Sequence, residues 1–145
     1  MRPIPKAAVD LVKRFEGRKL TAYKCPANVW TCGYGSTGDD IKEGVVWTIW
    51  QAEDRLKADL VKFAEAVDRL VTVPITDNQR GALISFSYNV GIQALKESTL
   101  LRLLNEGKTE EAAGQFPRWN KAAGRVLAGL TARRCAERDL FLRKD

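Results

Sequence analysis

The chain has 145 residues, 45% of them hydrophobic and 29% charged, enough for one domain with a real core and unlike a disordered segment in composition. No apolar run approaches the ~20 residues that cross a bilayer, and the charged, amphipathic start MRPIPKAAVDLVKRFEG lacks the apolar stretch of a secretory signal, so the chain is expected to stay where it is made, without a membrane anchor. The absence of histidine excludes Ser-His and Cys-His nucleophilic chemistry, and a net charge of +6 with a pI near 9.4 favours a polyanionic partner, either nucleic acid or an anionic cell wall.

Ile4, Ala8, Leu11, Val12 and Phe15 recur at helical spacing, which predicts an amphipathic helix over 4–16 with Pro5 in its first turn and Gly17 as its stop. From Leu20 to about Ile41, Thr, Tyr, Val and Trp alternate with turn formers. Short strands are expected there, with a turn at Pro26-Ala27-Asn28 and hinge points at Gly33, Gly35 and Gly38. This is the one β-like region of the sequence. Thr48 with Gln51 forms a capping-box signal, and Leu56, Leu60, Phe63, Val67 and Leu70 trace an apolar stripe down a long helix ending near Val71. Thr76 with Gln79 repeats the signal for a helix carrying Ala82, Leu83, Phe86 and Val90. A leucine-rich helix from Thr99 stopped by Gly107, a short helix from Thr109 and a terminal helix from about Leu130 complete the chain. The fold class is therefore α+β and mainly helical. A single domain over 1–145 is expected: a small β lobe at about 17–45, a connecting helix at about 48–71, and a larger helical lobe made of 1–16 plus 72–145.

Cys25, Cys32 and Cys135 are too few and too oddly numbered for a disulfide framework and read as free thiols. With no His and no CxxC pair, no metal site is expected. Glu16 falls in the last turn of the first helix, where the macrodipole disfavours a negative charge by ~0.3–1 kcal/mol and so favours the proton-bearing form that a general acid uses. Taken singly, Glu16 reads as a solvated carboxylate, Cys25 as a small buried hydrophobe, Thr31 as a strand former, and Trp30 and Tyr34 as hairpin packing. Their fixed spacing carries more. Eight residues separate Glu16 from Cys25, five separate Cys25 from Thr31, and Gly33-Tyr34-Gly35 follows.

This pattern resembles the catalytic signature of phage-type lysozymes, the endolysins that cut bacterial peptidoglycan. GDDIKEGVVWTIWQAEDRL is similar to that family's exit from its β lobe, ALISFSYNVG to its cleft-lining segment, and STLLRLLNEGKTEEAAGQFPRW and GLTARRCAERDLF to its helical-lobe motifs. The resemblance implies a lysozyme-like fold and hydrolysis of the β-1,4 bond between N-acetylmuramic acid and N-acetylglucosamine. It implies Glu16 as general acid, Cys25 and Thr31 as the groups that orient the attacking water, Asn89 and Tyr34 as sugar contacts, and Arg133 or Arg134 as the support of Glu16. It further implies no cofactor, a monomer, peptidoglycan as substrate, and residence in the host cytoplasm until a holin-type pore gives access to the wall. Two positions depart from the family's pattern: Cys25 stands where many members carry Asp, and Ser36 where the Gly-Tyr-Gly turn is usually followed by His, which removes a structural ion pair. A nearby carboxylate disfavours a thiolate, so Cys25 is expected to act as a neutral thiol. An inverting or a retaining outcome stays open. Two alternatives remain beside the enzyme: a basic helical nucleic-acid binder, although the basic residues are scattered and no recognition helix is present, and a catalytically impaired peptidoglycan binder.

Overall fold

The computed structural model describes residues 2–144; Met1 and Asp145 lie outside the described residues. Pro5 caps α1 (Lys6–Glu16) at its start and Gly17 ends it, turning to a φ of 72° that a side chain would resist, while its N–H donates to Lys13 O at 3.1 Å. Ala8 and Val12 are the fully buried face of this helix.

The chain then forms an antiparallel hairpin from β1 (Lys19–Lys24) and β2 (Trp30–Gly33), pairing Tyr23 with Thr31 and Lys24 with Trp30. Its turn is closed by Cys25 N–H donating to Val29 O at 3.0 Å, with Asn28 at a φ of 64°. The returning chain pairs with the free edge of β1, since Ala22 N–H reaches Val45 O and Trp47 N–H reaches Leu20 O, each at 2.8 Å. Three short segments thus close one small β lobe.

Thr48 starts α2 (Ile49–Leu70) with a full capping box, and Thr76 does the same for α3 (Asp77–Val90). At 1.5 Å per residue α2 is about 33 Å long, the length needed to carry the chain from the β lobe to the helical lobe. Beyond α3 come α4 (Ile92–Glu97), α5 (Thr99–Asn105) and α6 (Thr109–Ala113), a 3-10 turn at Phe116–Arg118, a second hairpin of β3 (Lys121–Ala122) and β4 (Arg125–Val126), and α7 (Ala128–Leu142). Two of these depart from the sequence expectation. The helix α4 starts directly after Gly91, whose φ of 100° bends the chain without a loop to announce it. The second hairpin turns on Ala123 and Gly124, both at positive φ, and its Lys-Ala and Arg-Val strands carry little β-branched or aromatic signal. The region of 17–45 is therefore not the only β structure in the chain.

The main core forms where α3 packs between α1, α2 and α7. Leu56, Leu60 and Val67 of α2 meet Leu83 and Phe86 of α3, and Phe86 stands edge-on to Phe116 at 5.4 Å and to Trp119 at 5.3 Å. Every residue of α3 from Arg80 to Ser87 is buried, so its polar members need internal partners. Arg80 finds them in both Asp68 oxygens, at 2.8 and 3.0 Å, and in the carbonyls of Pro3 and Arg2, tying the N-terminal segment down. Among the described residues no helix is long and apolar enough to cross a membrane.

Candidate active site

Glu16 is the last residue of α1, and its side chain is 22% exposed at the junction of the two lobes. Its Oε2 accepts from Arg133 Nη1 at 2.7 Å. That guanidinium is fixed in turn: Nη2 donates to Ser85 O at 3.1 Å, and Nε donates to Glu137 Oε2 at 3.2 Å. Three helices distant in sequence therefore aim one carboxyl. The other oxygen of Glu16 lies against Gly35, where an added Cβ would come within 2.9 Å of Oε1. Gly35 also sits at a φ of 85°. Gly35→Ala should thus cost ~1–2 kcal/mol of backbone strain and push the acid from its place, and a displacement near 1 Å can cost ~10²-fold in rate. Melting and the rate of the wall hydrolysis that the family resemblance implies, measured together, check this, with a small drop in the first and a large one in the second as the expected result.

A cleft of about 480 Å³ opens beside Glu16, lined by Gly35, Asp59, Phe63, Tyr88 and Asn89 among others. A second hollow of about 320 Å³ shares Glu16 and Asn89 and adds Leu127, Leu130 and Arg133. A third, about 460 Å³, shares Asn89 and runs to Trp119 and Lys121 of the second hairpin side. Glu16 and Asn89 therefore stand at the middle of a groove, the shape suited to an extended chain of sugars.

Asp59 is a second carboxylate in the groove, but its oxygens are engaged. Ser36 Oγ donates to Oδ2 at 2.6 Å and Arg55 Nε to Oδ1 at 3.1 Å. Arg55 also reaches Asp40 and the Thr37 carbonyl, and holds the Asp40 carboxyl below its ordinary value. Ser36, at the position where the resemblance led to an expected loss of an ion pair, thus keeps a contact with α2 through a hydrogen bond from its hydroxyl to the Asp59 carboxylate.

The hairpin carries Cys25 and Thr31. Cys25 is half-buried at the turn, and Thr31 is only 4% exposed. The Thr31 hydroxyl donates to Val29 O at 2.9 Å, leaving its lone pairs as acceptors. Burial first, and then the negative charges of Glu16 and of the Cys25 and Cys32 thiols, push up the Tyr23 phenol, so all three lie within electrostatic reach of one ring. For Cys25 the hydrogen bonds of the hairpin turn act against the effect expected of a nearby carboxylate. The Val29 amide, and after it the Ala27 amide and the Thr31 hydroxyl, stabilise the thiolate and pull Cys25 below its ordinary value against a smaller effect of burial. The single Thr31 proton can serve only one of Val29 O and Sγ at a time. Cys32 behaves oppositely, since burial raises it and its Sγ donates to Leu20 O at 3.4 Å. Iodoacetamide should therefore label Cys25 well ahead of Cys32, and Cys25 labelling should persist to a lower pH than for an ordinary thiol because its thiolate does. Peptide mass spectrometry across a pH series reads this directly, and preferential labelling of Cys32 would contradict it.

Asn89 lies in the groove, as expected, but Tyr34 and Arg134 are placed otherwise than the resemblance implied. Tyr34 is buried. Its hydroxyl donates to Glu53 Oε1 at 3.2 Å, its carbonyl accepts from Tyr88 at 2.8 Å, and Lys13 lies over its ring. It braces α1 against α2 and is not among the residues that line the cleft beside Glu16. Arg134 does not contact Glu16: its Nη2 donates to Asn89 Oδ1, and its Nε lies 3.1 Å from Glu137 Oε1 without the alignment of a hydrogen bond. Glu137, with no exposed side-chain surface, and Ser85, whose hydroxyl donates to it at 2.6 Å, are site supports that the sequence reading missed. Burial pushes the Glu137 carboxyl up, and the two guanidiniums and the Ser85 hydroxyl draw it back. Tyr88, one residue before Asn89 and lining the cleft, was missed as well.

A sequence profile of the phage lysozyme family matches residues 13–137. The endolysin of Bacillus phage PZA is 46% identical over 140 residues, which are 95% of this chain and 54% of that protein. The endolysin of Acyrthosiphon pisum secondary endosymbiont phage 1 is 40% identical over 142 residues, covering 95% of this chain and 97% of the relative. The chain spans about half the length of the Bacillus phage endolysins it matches. Among solved structures, the muramidase domain of SpmX from Asticaccaulis excentricus superposes with a TM-score of 0.92 at 40% identity, covering 99% of this chain and 100% of that one.

Proposed function

The chain belongs to the phage lysozyme family, and we propose that it hydrolyses the β-1,4 glycosidic bond between N-acetylmuramic acid and N-acetylglucosamine in bacterial peptidoglycan, and so lyses the host cell. The observation that carries this reading is Glu16 standing mid-groove with one oxygen held by Arg133 and the other facing the cleft. In this reading Glu16 gives its proton to the glycosidic oxygen, which leaves as an alcohol. A water adds to the anomeric carbon as the bond breaks. Thr31, through its hydroxyl lone pairs, and Cys25, through its sulfur, accept hydrogen bonds from that water and orient it. With Asp59 tied to Ser36 and Arg55, no second free carboxylate is offered as nucleophile by the cleft side chains described, which favours direct attack by water and inversion.

Asn89 contacts the sugar, and the net charge of +6 draws the enzyme to an anionic wall. The acid, its cation and the groove all come from one chain, which supports a monomer as the working unit. We further propose that it stays in the host cytoplasm until a holin-type pore gives access to the wall. The test is digestion of purified peptidoglycan, followed by turbidity and by mass spectrometry of the products. Clearing that yields fragments with reducing N-acetylmuramic acid ends is expected. Intact walls, or fragments cut at amide bonds, would remove the assignment. The anomer released first, read by NMR, separates direct water attack from a covalent intermediate on Cys25, because the former inverts and the latter retains.

A further inference from the structure

Glu137 bridges two guanidiniums that serve different ends of the site. Through Oε2 it steadies Arg133, which holds Glu16; through Oε1 it faces Arg134, which holds Asn89. The spacing along α7 makes this possible, because residues three and four apart share one helix face. Asn89 needs such a partner: it is exposed in the groove, and an unrestrained amide could present either its oxygen or its nitrogen to a ligand. A guanidinium has only donors, so contact with Arg134 commits Oδ1 to it and turns Nδ2 away. Among the described residues Nδ2 has no protein acceptor, and Asn89 borders all three hollows of the groove.

We infer that Arg134, braced by Glu137, is a positioning residue that fixes Asn89 as a hydrogen-bond donor toward the groove, so that the site selects a sugar bearing an acceptor there, the carbonyl oxygen of an N-acetyl group. This rests on the proposed action on N-acetylated glycans and names the chemical feature of the substrate that is read. The positioning device acts through direction: a donor-only edge rewards a carbonyl and repels an ammonium. The orphaned donors of Arg134 fit that role. Nε and Nη1 lack aligned partners, so the Asn89 contact is the one in-line hydrogen bond this guanidinium makes among the described residues.

The test compares binding of tri-N-acetylchitotriose with that of its de-N-acetylated counterpart, by calorimetry on the Glu16→Gln protein so that no turnover occurs. The parent should prefer the acetylated sugar by at least ~10-fold, as a site built around one hydrogen-bond donor rejects a ligand lacking the acceptor. Asn89→Asp keeps an oxygen for Arg134 but replaces the donor by an acceptor, and it should cancel or reverse the preference. The change is at an exposed position, so the fold should persist. Arg134→Met frees the amide and should also lose the preference, with Arg134→Lys restoring part of it through a single donor. A general loss of structure would weaken both sugars alike and leave their ratio unchanged. An unchanged ratio in folded Asn89→Asp, or no measurable binding of either sugar by the parent, overturns the inference. Failure to clear peptidoglycan with the sugar preference intact would overturn the proposed reaction and leave the role of Arg134 standing.

Discussion

Glu16→Gln should leave the molecule folded and slow peptidoglycan clearing by ~10²–10⁴-fold, the contribution of a positioned general acid. The exchange is nearly isosteric, and the amide oxygen can still accept from Arg133 at the 2.7 Å now spanned by Oε2. What disappears is the ionisable proton on the oxygen that faces Gly35 and the cleft. The comparison of clearing rate with melting temperature isolates this loss, because the fold depends on the contact and the chemistry on the proton. A folded Gln variant that kept half the parent's rate would show that the proton comes from elsewhere.

Glu137→Leu should be the most destabilising single change of this region. It leaves two guanidiniums, those of Arg133 and Arg134, buried without their shared anion. Breaking a buried pair by removing one partner costs ~3–5 kcal/mol. At about 2–4 °C per kcal/mol, a chain of this size should melt roughly 10 °C lower. Ser85→Ala removes only one neutral donor to the same carboxylate and should cost ~1 kcal/mol. The contrast between the two melts matters more than either value. Equal small shifts would mean that the cluster is hydrated and not closed off.

Sequence patterns whose causes are local carried over into the structure. The two capping boxes depend on residues three apart, and both helices start at Thr48 and Thr76. Gly17 stops α1 by its own backbone freedom, which leaves Glu16 at the helix end. The misplaced side chains, Arg134 and Tyr34, have partners far apart in the chain. Arg133 and Arg134 are adjacent and equally basic, and only the packing of α7 against α1 and α3 sends one to Glu16 and the other to Asn89. Tyr34 sits in a glycine turn that suggests exposure, yet α1 and α2 close over it. Glu137 looks like any helical glutamate in GLTARRCAERDLF, and nothing short-range shows that its surroundings exclude water. The second hairpin escaped notice because its turn is Ala-Gly and its strands are two residues each.

The ion pair between Glu16 and Arg133 joins groups 117 positions apart, on two helices that pack on each other and on α3. Its consequence lies in time. As a ribosome extends the chain, the hairpin and the long helix can form from nearby residues, but the acid has no counter-cation until α7 emerges and docks. Contacts of such sequence separation form late and slowly, because the loop they close must first be ordered. A growing chain would thus carry Glu16 without its cation until Arg133 had been made and α7 had docked. If the proposed wall hydrolysis holds, that delay would keep the site incomplete until α7 had docked.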